Sequence, residues 1–301
     1  MKMFRRSLVS TAAALFATAG CERAKPPVRT DSVAVHPAGT TTVTPPAPPS
    51  TWDRGAGRLL LIAADSATHA YLVAPDSATA EQTIAEIPHD ASITLFGRGG
   101  TVQSAALDGI DTSGACALGS LRAAPPPRQW SVGFFGGVVA PLPVDSAAAF
   151  SPADSAKLVV DMNRLASALP NDSAGHFAGL PFVVRSMWRF SLPLPTRAQV
   201  VVAELERQLN QEATPLAERT LIVTERAPSD TSVNAVYSER SYGDEETIES
   251  DDLLAALLIG GGKTPAFVLS IDFGDDQAYS LIERGANGRW QRRWTSARHH
   301  C

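Results

Sequence analysis

Beyond Gly179 the chain is a series of apolar stretches separated by short connections rich in Gly, Asp, Asn and Pro. The stretches cover 180–190, 199–209, 219–226, 235–242, 253–259, 266–273, 278–284 and 289–296. Parallel neighbours need a crossover of about a dozen residues or more, usually a helix. No helical spacer intervenes, so successive strands are expected to pair antiparallel as a meander. One piece, 198–217, is ambiguous, because the segment from Glu204 to Glu212 also reads as helix.

The part before Gly179 carries strand and helix signals together. Residues 58–64 predict a strand, Asp65-Ser66 a turn, and 69–74 its hairpin partner. A short helix is expected over 78–87. A second hairpin is expected from 92–96 and 101–107 around a glycine-containing turn. A loop bearing Gly109, Gly114 and Cys116 should follow. Pro125-Pro126-Pro127 marks a break, with a subdomain seam near 124–129, before a strand over 130–135. The clearest helix is 152–169. Ser151 can cap it, Pro152 suits its first turn, and Asp154 stands where a capping box places an acid. Leu158, Met162, Leu165 and Leu169 fall on one face, and Pro170 ends it. The fold class implied is mainly β (α+β), antiparallel β meanders with one clear amphipathic helix.

Hydrophobic residues make up 44% of the 301 positions, which supports a substantial core. Residues 22–51 are poor in large apolar side chains and carry Pro26-Pro27, Pro45-Pro46 and Pro48-Pro49. Such a stretch reads as an extended tether rather than a folded unit. The folded part, 52–301, should begin near Trp52.

Residues 1–20 have a basic start (Lys2, Arg5, Arg6), a short apolar middle and small residues at Thr18-Ala19-Gly20. This is the layout of a secretory signal peptide, too short to remain as a membrane span. Ala19-Gly20-Cys21 resembles the lipobox of bacterial lipoproteins, with Thr18 where Leu is usual. The resemblance implies cleavage before Cys21, acyl chains on Cys21 and a membrane partner held through them. Glu22 rather than Asp favours the outer over the inner membrane of the envelope, with the domain in the periplasm or at the surface. The alternative is an ordinary signal peptide with an incidental cysteine. Arg5-Arg6 also partly resembles a twin-arginine signal.

The net charge of −5 becomes about −8 once the leader, with three basic residues and no acidic ones, is removed. Nucleic acid is therefore excluded as a partner, since phosphate binding needs a basic face. Lipidation of Cys21 leaves Cys116 and Cys301 as an even pair, which outside the cytoplasm is expected to form a disulfide. Two buried or free thiols are the alternative.

No chemical motif is complete. Gly260-Gly261-Gly262-Lys263-Thr264 resembles the end of a phosphate loop, but Leu257 replaces the first glycine and Pro265 blocks the helix that should follow. A turn is expected there. Asp172-Ser173-Ala174-Gly175 echoes a trypsin-like motif that Asn171 and Ala174 break, so a polar loop is expected. His36, His69, His89 and His176 have no partner at ligand spacing, and His299-His300 are adjacent beside Cys301. No metal, cofactor or catalytic residue is assigned. The acids Asp244, Glu245, Glu246, Glu249, Asp251 and Asp252 bunch without calcium-loop spacing, which predicts a solvated loop or a charge-guarded edge. Trp290, Arg292 and Trp294 alternate and should share one strand face, a candidate ligand face against the plainer reading of two core tryptophans. The last fifty residues resemble FG-GAP/VCBS-like propeller segments through their acidic turns and Gly288-Arg289-Trp290. Asp272-Phe273-Gly274-Asp275-Asp276 only echoes the calcium loop of those families.

Three functions are consistent with this sequence. The first is a lipid-anchored, non-catalytic binding or structural module with an envelope protein or glycan partner. The second is an envelope hydrolase whose acids, from 244–252 and 272–276, meet only in the fold. It would show paired carboxylates in one concave site, one of them shifted towards neutral pKa. The third is an assembly factor for exported chains, which would show an exposed apolar groove.

Overall fold

A computed structural model describes residues 52–170, 175–209, 215–230 and 232–301. The leader, Cys21, the tether and Asp172 to Ala174 lie outside the described residues. Six strands form a closed antiparallel barrel: β1 (Leu59–Ala63), β2 (His69–Val73), β3 (Ala91–Phe96), β4 (Val102–Asp111), β5 (Leu118–Arg122) and β6 (Val132–Phe135), in the order β1-β2-β5-β4-β3-β6. Helix α1 (Ala80–Ala85) joins β2 to β3. Leu59 and Leu61 fill the barrel interior, whereas Leu60 and Ile62 pack outward into a second core. Burial on both faces explains why β1 is continuously apolar instead of alternating.

The interior is small enough to require glycine. A Cβ on Gly133 would lie 2.8 Å from Leu95 Cδ2 and 3.2 Å from Leu61 Cβ. Gly133→Ala is expected to destabilise by about 1–3 kcal/mol through overpacking, read as a lowered denaturant midpoint at unchanged m-value.

The barrel corrects two expectations. The loop expected to bear Gly109, Gly114 and Cys116 holds only the last two, because β4 runs through Gly109 to Asp111 and residues 118–122 form β5. The 124–129 stretch is not a seam, because it connects β5 to β6, and β6 pairs with both β1 and β3 to close the barrel. The chain leaves the barrel only after Phe135.

Strands β7 (Ala140–Leu142) and β8 (Val144–Ser146), neither of them expected, flank Pro143 and belong to different sheets. Beyond helix α2 (Pro152–Ala168), β9 (Val183–Ser191), β10 (Gln199–Leu209), β11 (Leu216–Arg226) and β12 (Asn234–Asp244) form the expected meander, and β8 adds to its β9 edge. A second meander of β13 (Ser250–Ile259), β14 (Thr264–Asp272), β15 (Gln277–Arg284) and β16 (Trp290–Thr295) gains β7 beside β13. All ladders are antiparallel. The 204–212 ambiguity resolves to strand up to Leu209, with β10 paired on both sides. Pro141 is tolerated because β7 is an edge strand, and Pro265 because β15 pairing starts only at Ala266.

The layers stack as barrel, β13–β16 sheet, β9–β12 sheet and α2. Along β14, Phe267 and Leu269 face the β9–β12 sheet, whereas Ala266 and Val268 face the barrel. Along β10, Val200 and Val202 face inward, whereas Val201, Ala203 and Leu205 face Leu158, Met162 and Ala166 of α2. Two α-helices form rather than one. The longer is capped by the Ser151 hydroxyl, which accepts from the Asp154 N–H at 3.1 Å. At its other end Arg240 donates to the carbonyl of Ala166 (3.3 Å) and, just beyond the helix, to that of Pro170 (2.8 Å).

Candidate functional site

Period-2 geometry puts Arg219, Leu221, Val223 and Glu225 of β11 on its inner face. Leu221 and Val223 enter the apolar core between the sheets. The charged residues stand at its two ends, and each end becomes an ionic clamp. At one, Arg284 of the facing sheet holds Glu225 with two hydrogen bonds (2.7 and 2.6 Å), and the Trp290 indole N–H donates to Glu225 Oε2 at 3.3 Å.

The other end opens into a cleft of about 390 Å³ between the two sheets. Its walls carry Glu204, Arg219 and Glu239 on one side and Asp251 and Arg292 on the other. Arg292 Nε donates to both Glu239 oxygens (2.9 and 3.0 Å), and its Nη2 lies 3.8 Å from Asp251 Oδ1. Glu204 Oε1 accepts the Asp251 N–H at 2.9 Å, and its Oε2 faces the Ser250 hydroxyl at 3.5 Å. Arg219 is held by Glu206 (2.9 Å) and the Ile248 carbonyl (3.0 Å).

Burial dominates the electrostatics. Glu204 is 5% exposed, and burial raises its pKa. Burial pushes Asp251 up to about 7 against the attraction of Arg292, and the charges of Glu239, Glu204 and Glu249 add to the rise. Burial alone would lower the pKa of Arg292, but its bonds to Glu239 raise it instead.

The folded state therefore binds a proton at Asp251 between about pH 4 and pH 7 that the unfolded chain does not. This contribution to stability is present at low pH and is lost as pH rises through 7. Asp251→Asn removes it. The variant is expected to match the parent near pH 4 and to be more stable at pH 8 by at least about 1.4 kcal/mol, the worth of one pKa unit. Thermal unfolding of both proteins across this range measures the difference.

The structure separates the residues singled out in the sequence. Trp290, Arg292 and Trp294 do not share a face. The β15–β16 register shifts between Ile282↔Arg292 and Leu281↔Trp294, so Trp294 turns to the barrel-side core while Trp290 and Arg292 face the other sheet. Both tryptophans are buried, at 2% and 1% exposure. The acidic cluster is divided as well. Asp244 and Glu246 are exposed near the end of β12, Asp252 pairs with Arg98 at 2.7 Å, and Asp251 enters the cleft. Asp272, Asp275 and Asp276 lie at the β14–β15 turn and do not line the cleft, although Phe273 between them does. Residues 260–263 form the β13–β14 turn. Cys116 and Cys301 are joined as a disulfide with Cα atoms 5.6 Å apart.

Sequence reasoning missed Glu204, Glu239 and Arg219. A partial signal was present: on its strand face Arg219 lies between Ala217 and Leu221, and Glu204 and Glu239 follow Val202 and Tyr237. Comparison with protein-family models, with curated proteins and with solved structures returns no match.

Proposed function

We propose that this is a lipid-anchored cell-envelope protein whose globular part is a non-catalytic binding module, and that the inter-sheet cleft takes a hydroxyl-rich ligand such as an envelope glycan. The carrying observation is the fixed array of acceptors (Glu204, Asp251) and donors (Arg292, Arg219) on facing sheets. Sugar hydroxyls donate and accept at once, and matched carboxylate and guanidinium groups serve both roles. Because these groups hold one another in place, little ordering cost attends binding. The anchor rests on Ala19-Gly20-Cys21, and the Cys116–Cys301 bond supports an oxidising compartment.

A second reading is favoured by one observation. Asp251, pushed towards neutrality next to Glu204, resembles the protonated member of a hydrolytic carboxylate pair. Calorimetric titration of the mature protein with soluble peptidoglycan fragments, followed by mass analysis of the glycan, distinguishes the two. Saturable binding that Glu204→Gln abolishes, with intact glycan, supports the module. Cleaved glycan supports the hydrolase. Absence of saturable binding would overturn the glycan assignment. For the anchor, Cys21→Ser is expected to move the protein from the membrane to the soluble fraction, and unchanged fractionation would overturn it.

A further inference from the structure

A cavity away from the charged cleft is larger than it and differs from it in chemistry. It has a volume of about 760 Å³, within the range of small-molecule sites. Its floor is apolar, with Val73, Ile84, Ile87 and Ile110. Two tyrosines, Tyr71 and Tyr279, and the Cys116–Cys301 disulfide form part of its wall. No lysine or arginine lines it, and Glu81 is the only acidic side chain among the described residues that line it. That lining disfavours anions.

One polar atom in the wall is left over. His299 Nε2 is shielded from solvent and has no hydrogen-bond partner among the described residues. An imidazole nitrogen in that state loses its water without replacement, which costs free energy until a turn of the ring brings it to a ligand in the cavity. The tail that carries the ring is held in place. Backbone bonds between His299 and Gln277 (2.7 and 2.8 Å) fix the tail, and the Tyr279 ring lies 6.3 Å from the imidazole between centroids. Two residues on, Cys301 is bonded to Cys116, which also lines the cavity. Burial lowers the pKa of His299, which favours the neutral ring.

We infer that this cavity is a binding site for an uncharged, mostly apolar small molecule, aromatic or alicyclic, with one hydrogen-bonding group that meets His299 Nε2. The apolar body occupies the floor of Ile84, Ile87 and Ile110. The C-terminal tail forms a wall of the site, and the disulfide keeps that wall closed. The site is independent of the glycan reading of the cleft.

The test uses the full chain carrying Cys21→Ser, which removes acyl background, and the neutral fluorophore N-phenyl-1-naphthylamine, whose single N–H can reach the imidazole. The expected result is saturable fluorescence enhancement at one site per chain, with no binding of the anionic analogue anilinonaphthalene sulfonate. Ala115→Trp and Ala297→Trp fill the cavity from exposed positions and are expected to abolish binding at unchanged thermal midpoint. His299→Phe keeps the ring shape and is expected to weaken binding at least about tenfold. Carbon-detected imidazole resonances of His299 in the parent should shift on titration, a readout that needs no variant. Absence of saturable binding, binding that survives both tryptophan fillers, or unmoved His299 resonances would overturn the site.

Discussion

Replacing Cys301 with serine is expected to lower the unfolding free energy by about 5 kcal/mol, the chain-entropy value for a loop spanning 185 residues. For a domain of this size the melting temperature should fall by roughly 10–20 °C. The physical reason lies in the unfolded chain. The bond ties the β4–β5 loop of the barrel to Cys301, beyond β16, so β5 to β16 lie within one closed ring. Scanning calorimetry of Cys301→Ser, and of the parent with and without reductant, measures the loss. A midpoint in reductant equal to that of the oxidised parent would show that the ring does not constrain the unfolded chain. Intact mass gives a direct check, because the oxidised pair is lighter by two hydrogens.

The second large effect is expected at Glu218, which has no solvent exposure. It lies on the outer face of β11, under α2. Arg207 Nη2 donates to both of its oxygens (3.1 and 2.9 Å), and Arg240 Nε stands 3.1 Å away. Arg207 is fixed further by the Phe177 carbonyl at 2.8 Å, and its guanidinium lies 4.6 Å from the centre of the Phe182 ring. Glu218→Ala is expected to cost about 3–5 kcal/mol, because the buried Arg207 charge loses its counter-ion. Arg207→Met should cost a similar amount by stranding the carboxylate. The double variant Arg207→Met with Glu218→Gln is expected to recover much of the loss, since no bare charge is then buried. Additive single effects in a double-mutant cycle would contradict this account. The same network reaches the C-terminal carbonyls of α2 through Arg240, so the helix is expected to loosen with it.

Much of the second half of the chain is legible as sequence. The β10 strand runs from Gln199 to Leu209 as its apolar run suggests, and the meanders follow from connections too short for a crossover. Helix α2 follows from Ser151, Pro152 and the spacing of Leu158 and Met162. These are local properties, decided within a few residues. The barrel was not legible. Its hairpins β1–β2 and β3–β4 are local, but closure depends on β6 meeting both β1 and β3, and no neighbouring residue records that pairing. Pro125 to Pro127 read as a boundary because a proline run breaks strands. It does break one, though inside the barrel.

The charged cleft shows the same division more sharply. Asp251 stood out only as one acid in a cluster, and Glu204 only as a polar residue in a segment that also reads as helix. Once β10 and β13 face each other across the core, both become buried carboxylates linked by a backbone hydrogen bond. Arg292 and Trp294 look equivalent in an alternating sequence, yet one shift in strand register sends them to opposite layers.

The sequence by itself determined that the chain carries an apolar core of antiparallel strands, a capped helix and a pair of cysteines available for oxidation, because periodicity, capping and cysteine parity are written in short stretches. Only the tertiary structure decided which charges share a cleft, which tryptophan faces which layer, and that the C-terminal histidine lines a cavity. Those outcomes depend on strand register and layer order, which arise from contacts between residues far apart in the chain.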